Sequence, residues 1–250
     1  MRTRVAALGG SLLRPEVEDR QAWLRKLAAS VKATIVENFY TPEPNENNTH
    51  LILVVGGGAP AREGIELAAP LIGSDVASLD RIGIAATRLN ASIVAETIRS
   101  AEIEIKETSI VPNYIPESVD DAVKLAKEFP VTVMGGTVPG HTTDTVAIQI
   151  AKKLGSEMCI IATNVAHVYS SDPKTNNDAK KFHSMTHNEL LEIVGPATHQ
   201  KAGKSGVIDP IGADIARNSG INLAVLDGRD TERLTAALNG ESFEGTNIEG

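Results

Sequence analysis

The chain has 250 residues, 42% of them hydrophobic but only 3% aromatic, and a formal net charge of −8. That length admits one large α/β domain or two small ones, with a core drawn from Ala, Val, Ile and Leu, as in helix-covered parallel sheets. The acidic balance excludes general nucleic-acid binding, which needs a basic field, and no apolar run approaches the ~20 residues of a membrane span. The single cysteine, Cys159, lies in an apolar run; it allows no internal disulfide and reads as a buried, inert thiol in a reducing compartment. The sequence opens into a strand pattern with no signal-peptide core, so a cytoplasmic protein is expected.

Short apolar runs alternate with longer amphipathic stretches. A first strand over residues 5–8 ends at Gly9-Gly10-Ser11, and a helix follows over 15–31. Residues 37–50 are polar, carry Pro42 and Pro44, and read as a loop. A second strand, 51–55, ends at Gly56-Gly57-Gly58 and precedes helices over 60–69 and 78–99. A third strand is expected over 103–107, then a helix over 118–128 capped by Ser118. Strands over 131–134 and 158–163 flank a helix over 143–154. The last third adds segments 186–194 and 210–218, a strand over 222–226 and a helix over 231–238. Such alternation predicts a three-layer αβα sandwich, a mostly parallel sheet with helices on both faces and ligands at the carboxyl ends of its strands. No repeat, low-complexity tract or composition break marks a linker.

The most informative run is Val133-Met134-Gly135-Gly136-Thr137-Val138-Pro139-Gly140-His141-Thr142-Thr143-Asp144. It leaves a strand through two glycines, crosses a hydroxyl-rich loop and enters a helix. Glycines let backbone N–H groups approach a ligand, and a helix N-terminus favours anions, so the run suits a phosphate ester. A plain strand-to-helix turn with an N-cap pair would look similar. Gly9-Gly10, Gly56-Gly57-Gly58 and Gly135-Gly136 all end strands, however, and would gather on one edge of the sheet as donors for a polyanion.

Two other patterns fail. Gly203-Lys204-Ser205 resembles the end of a Walker A loop, but Thr198 stands where its first glycine is needed. No G-x-G-x-x-G opens a helix after a strand. The segment from Ala162 to Pro173 follows an apolar strand and offers a flat surface in Tyr169 and an acceptor for ribose hydroxyls in Asp172. The same residues could form a β-hairpin with Asp172-Pro173 starting a turn. Asn47-Asn48-Thr49 and Asn90-Ala91-Ser92 match the glycosylation pattern and read as accidental. His50, His167, His183, His187 and His199 show no metal-ligand spacing and are expected at the surface.

In this order, Leu8-Gly9-Gly10-Ser11, Val54 to Gly58 with Arg62, Met134 to Asp144, Ala162 to Pro173 and Ala202 to Pro210 resemble the amino-acid kinase family, and within it the archaeal type of uridylate (UMP) kinases. The likeness runs from Val5 to Ile248, and Gly245-Thr246-Asn247-Ile248-Glu249 looks like that family's closing strand. The resemblance implies a single kinase domain. Its part over about 1–155 would bind the acceptor and make oligomer contacts, and its part over about 156–250 would bind ATP. Gly10, Ser11 and Gly58 would meet the transferred phosphate, and Arg62 would contact the phosphates. Gly57, Asp80, Thr137, Val138, Pro139, Gly140, His141, Thr142 and Thr143 would hold UMP. Thr163, Asn164, Tyr169 and Asp172 would hold the base and ribose of ATP. Asp144 would orient the cationic groups at the reaction centre. Mg²⁺ would arrive with ATP, and no protein metal site is expected. The family also implies a homo-oligomer, dimer or hexamer, with an apolar contact through the helix over 78–99.

Two departures bear on chemistry. Many members carry a lysine two residues before the first Gly-Gly, where this chain has Ala7. The usual Asp-Gly after Asn-Val is replaced by Ala166-His167. Phosphoryl transfer needs in-line positioning and charge compensation rather than a general base when the acceptor is already a phosphate anion. Alternatives within this reading are another small acceptor (a carboxylate, a carbamate or an isoprenoid phosphate) or a nucleotide-binding protein that has lost turnover.

Overall fold

The computed structural model describes residues 2–13, 20–39, 49–73, 75–101, 109–173, 175–196 and 207–250. Its strands are β1 (Arg2–Leu8), β2 (Thr49–Val55), β3 (Val131–Met134), β4 (Met158–Thr163), β5 (Val168–Tyr169), β6 (Lys181–Phe182), β7 (Ser184–Thr186), β8 (Asn222–Asp227) and β9 (Thr246–Glu249). Its helices are α1 (Arg20–Phe39), α2 (Gly58–Ile72), α3 (Val76–Ser100), α4 (Val119–Leu125), α5 (Thr143–Leu154), α6 (His187–Val194), α7 (Pro210–Ser219) and α8 (Thr231–Asn239).

Seven strands form one sheet in the order β3-β2-β1-β4-β8-β9-β7, and β5 and β6 form a separate hairpin. Every pairing in the large sheet is parallel except β8 with β9. Alternate residues of each strand enter opposite cores. Leu51, Leu53 and Val55 of β2 pack with α1 and α3, while Ile52 and Val54 face the core that holds Val146 and Ile150 of α5. This two-sided burial explains why the strands read as unbroken apolar runs. Each such side chain contributes about 1.5–3 kcal/mol on burial, so the sheet is a stiff frame for whatever its ends carry.

From β1 the chain moves outward through β2 to β3, then returns to the other side of β1 as β4. The strand order therefore reverses at β1, the place where open α/β sheets leave a crevice beyond their carboxyl ends. The registers Leu8↔Val55, Val54↔Met134 and Leu8↔Ala162 bring all four ends to one level.

The sandwich and nearly every element agree with the sequence reading. Helix α1 runs on to Phe39, beyond the expected loop start at 37, and β2 begins at Thr49. Helix α2 passes through Pro70 in its last turn, where the missing N–H costs one helical hydrogen bond and the helix ends two residues later. Helix α4 ends at Leu125, and turns follow to Glu128. The strand expected over 103–107, residues 40–48 of the expected loop and residues 202–206 of the family motif lie outside the described residues. Three histidines expected at the surface are buried: His50, His167 and His187 are 6%, 1% and 3% exposed. His50 lies on β2 and His187 on α6, while His167 closes the bend just before β5; His50 Nδ1 lies 3.0 Å from the Phe129 carbonyl oxygen. His183 is exposed, and His199 lies outside the described residues.

Candidate active site

The turns after β1 and β2 touch backbone to backbone. A Cβ on Gly10 would overlap the Gly58 nitrogen, and one on Gly58 would overlap the Gly10 carbonyl. Gly58 also has φ +58, a left-handed conformation that side chains disfavour. Only glycines allow this approach, which leaves main-chain groups lining the cleft floor.

Helix α3 fixes the turns after β2 and β3. Asn90 Nδ2 donates to the carbonyls of Gly56 and Gly57, and the Gly136 N–H donates to Thr87 Oγ1 at 2.6 Å. A Cβ on Gly135 would lie 2.6 Å from that Thr87 oxygen, so the second turn also needs its glycine. About two helical turns nearer the N-terminus, Asp80 accepts the Gly140 N–H at 2.8 Å.

Beyond the loop, Thr142 caps α5 by accepting from Thr145 N. The cap is Thr142, one residue before the Thr143-Asp144 pair where the sequence placed the helix entry. Thr142 Oγ1 also donates to Asp209, which accepts from Thr145 Oγ1 at 2.9 Å and from Gly212 N at 2.9 Å. Asp209 thereby caps α7 and ties its N-terminus to that of α5. Two helix N-termini, each a partial positive charge, converge there. Asp144 lies in the first turn of α5, half-buried in the cleft wall. Removal from water, and then the neighbouring Asp209 charge, lift its pKa from 3.8 to about 7. Burial likewise pushes the Cys159 thiol up, so that it stays protonated and inert.

The glycine turns after β1, β2 and β3, the α5 N-terminus and Asp209 line one cleft of about 680 Å³. Of the residues singled out from the sequence, it brings together Gly10, Ser11, Gly57, Gly58, Arg62, Asp80, His141, Thr142, Thr143, Asp144, Thr163, Asn164, Tyr169 and Asp172. Arg62 stands one turn into α2. Thr137, Val138, Pro139 and Gly140 do not line it. Thr137 and Pro139 face an adjacent hollow of about 530 Å³ with Arg81 and Arg88. Val138 is half exposed, and Gly140 is held through its N–H by Asp80. The two readings of residues 162–173 coexist: β5 pairs with β6 as a hairpin, Asp172 starts a turn by accepting from Asn176 N, and Tyr169 still faces the cleft.

Sequence reasoning missed Asp209, Thr87 and Asn90. The first had a signal, since Asp209-Pro210 is a cap residue followed by proline at the first helical position. Asn90 drew notice only as a glycosylation pattern; its side chain is buried and engaged. Among the described residues, no group of three or more His, Cys, Asp or Glu side chains is gathered to hold a metal ion, and no helix is long and apolar enough to cross a membrane.

Comparison with known proteins agrees with this geometry. The amino acid kinase family matches residues 2–227. A uridylate kinase of Archaeoglobus fulgidus is 37% identical over 95% of this chain and 96% of its own length, and one of Pyrococcus abyssi is 35% identical over 97% of each. The crystal structure of the Archaeoglobus fulgidus uridylate kinase superposes with a TM-score of 0.79, covering 99% of this chain and 100% of that one at 35% identity. A UMP kinase from Ureaplasma parvum, 21% identical with a TM-score of 0.73, shares the fold. The chain belongs to the amino acid kinase family.

Proposed function

We propose that the protein transfers the γ-phosphoryl group of ATP to UMP, giving UDP and ADP, as a step of pyrimidine nucleotide biosynthesis in the cytoplasm. One observation carries this reading: a single cleft joins the glycine turns, the α5 N-terminus and the segment from Thr163 to Asp172. That leaves room for two nucleotides meeting at their phosphates, and relatives 35–37% identical over nearly their full length are uridylate kinases.

A UMP phosphate oxygen attacks the γ-phosphorus in line, that P–O bond forms, and the bond to the β–γ bridging oxygen breaks to release ADP. The acceptor is already an anion, so no general base is required. Gly10, Ser11 and Gly58 hold the transferring group through backbone donors, and Arg62 supplies a planar guanidinium to the phosphates. Gly57, Asp80, His141, Thr142 and Thr143 hold UMP; Thr163, Asn164, Tyr169 and Asp172 hold the ATP base and ribose. Asp144 orients the cationic groups. The carboxylates of Asp144 and Asp209 at the cleft would suit a hard cation nearby, and Mg²⁺ brought in with ATP would supply charge compensation for the phosphates.

The same reading includes a homo-oligomer, a dimer or hexamer. Leu89 and Ile93 of α3 are exposed, as are Leu67, Leu71 and Ile72 of α2, more aliphatic surface than two neighbouring helices leave open without a partner. Incubation with ATP, Mg²⁺ and UMP tests the activity: UDP and ADP should appear in equal amounts. ATP consumption without UDP would refute it.

A further inference from the structure

The hairpin β5–β6 carries an arrangement that the phosphoryl-transfer reading does not use. Its register pairs Val168 with Phe182 and Tyr169 with Lys181. Extended by one residue, that register sets His167 opposite His183. Side chains alternate along a strand, so His167, Tyr169, Lys181 and His183 share one face. The rings agree: His167 and His183 meet edge to face with centroids 4.9 Å apart at 84°, and His167 and Tyr169 do so at 6.3 Å and 80°. Both separations lie in the range where perpendicular aromatic pairs attract.

His167 is 1% exposed and does not line the cleft, whereas Tyr169 does. The imidazole is therefore a prop behind the tyrosine. The hairpin it sits in is itself pinned to the sheet. Val168 N donates to Thr246 Oγ1 at 2.9 Å, and Asn247 N donates to the His183 carbonyl at 3.0 Å. With backbone and neighbours fixed on one side, the ring of His167 limits where Tyr169 can settle.

We propose that His167 is a positioning residue of the ATP site, acting through Tyr169, and that the site keeps its grip on ATP only while this imidazole is neutral. The proposal rests on the reading of Tyr169 as part of the ATP site.

Two features make the neutral form the working one. His167 Nε2 is buried without a hydrogen-bond partner, so a proton there would be a charged donor with no acceptor, a costly state. The charged and titratable groups acting on the ring are, from the hairpin, Lys181 and His183, and from elsewhere Glu244 and Arg233. Only Glu244 favours the cation, and its carboxylate is already paired with Arg233 at 2.6 Å. Burial first, then Lys181 and His183, hold the pKa below the ordinary 6.5. Once protonated, the ring would repel Lys181 and any charged His183, the edge contacts would open, and Tyr169 would lose its backing.

Steady-state kinetics of the intact enzyme and three variants tests this, with ATP and UMP varied separately. At pH 7.5, H167A should raise KM for ATP by about two- to tenfold, the value of one aromatic pair. KM for UMP and kcat should stay within about twofold. H167F keeps a ring edge and removes the unpartnered nitrogen, so it should restore KM for ATP and raise Tm. Between pH 7.5 and 5.5 the intact enzyme should lose ATP affinity more steeply than H167F; comparing the two cancels titration of the nucleotide phosphates. Parallel pH profiles, or H167A with an unchanged KM for ATP, would overturn the proposal. If H167A does not fold, H167F and the pH comparison decide alone. Y169A separates the two levels: if it leaves KM for ATP unchanged, the placement of ATP is wrong; if it raises that KM and the His167 variants do not, only the role of His167 fails.

Discussion

Asn90 Nδ2 donates to the carbonyls of Gly56 at 2.8 Å and Gly57 at 3.0 Å. A buried side chain on α3 thus holds the turn that meets the Gly9-Gly10 backbone. With Thr87 holding Gly136 and Asp80 holding Gly140, a single helix sets two of the three glycine turns and the loop beyond the third strand.

Asn90→Ala should therefore damage catalysis beyond its effect on stability. The Gly56 carbonyl loses its side-chain donor and the Gly57 carbonyl keeps only the long bond from Ala61 N at 3.4 Å, costing about 1–3 kcal/mol where the freed carbonyl stays dry. The turn then drifts, and kcat/KM should fall by at least about tenfold, since small misplacements near reacting atoms are expensive. Thermal unfolding beside kinetics checks this. A variant that loses Tm and keeps full kcat/KM would make Asn90 purely structural.

Asp144 gives a pH signature. Its folded-state pKa of about 7 lies above the ordinary 3.8. The folded chain therefore holds that proton more tightly than the unfolded one, and stability falls as pH rises from about 4 to about 7. Asp144→Asn should flatten that part of the Tm profile and raise stability at pH 8 by roughly 1–2 kcal/mol, discounted from the full linkage because the cleft is open to water. The same substitution should lower kcat by about 100-fold or more with little change in KM, as for a group that acts in the transition state. An unchanged kcat would remove Asp144 from the reaction centre.

Much of the fold was legible because two-sided burial writes strands as apolar runs and caps write helix starts. Strands β3 and β4 and helix α5 were read to the residue. The cleft was legible through its glycines, where backbone approach leaves no room for side chains. Its outer loop was read less well: Thr137 and Pro139 follow the motif in sequence but turn toward the Arg81–Arg88 hollow, because Asp80 pulls Gly140 to α3. Asp209 and Asn90 act across 64 to 67 and 33 to 34 residues of chain respectively, and pairings that distant leave no local pattern. Buried histidines escaped for a similar reason, since polarity alone suggested surface.

Asp209 braces the α5 and α7 N-termini. Asp209→Ala removes one helix cap, about 1 kcal/mol, and strands the hydroxyls of Thr142 and Thr145. It also removes the charge that helps raise the Asp144 pKa. If ionised Asp144 governs activity, kcat/KM of the intact enzyme should rise with pH near 7, and in Asp209→Ala that rise should move to lower pH while Tm drops. A lower Tm with an unmoved pH profile would leave Asp209 as a cap and nothing more.

Arg62 should be the main protein cation at the phosphates in place of the lysine absent at Ala7. It follows Gly56-Gly57-Gly58 and faces the cleft. Arg62→Ala should cost about 100-fold or more in kcat/KM, about 2.7 kcal/mol of transition-state stabilisation. The rival is Lys204, outside the described residues. A near-silent Arg62→Ala beside a crippled Lys204→Ala would transfer the role to the lysine.

The most direct measurement is ADP release by the intact enzyme with ATP and Mg²⁺ across a panel of acceptors: UMP, CMP, dUMP, a carboxylate such as N-acetylglutamate, and isopentenyl phosphate. The account predicts that UMP gives the highest kcat/KM, well above CMP and above the rate without acceptor. Turnover with UMP no faster than with CMP, or no faster than with no acceptor at all, would contradict it.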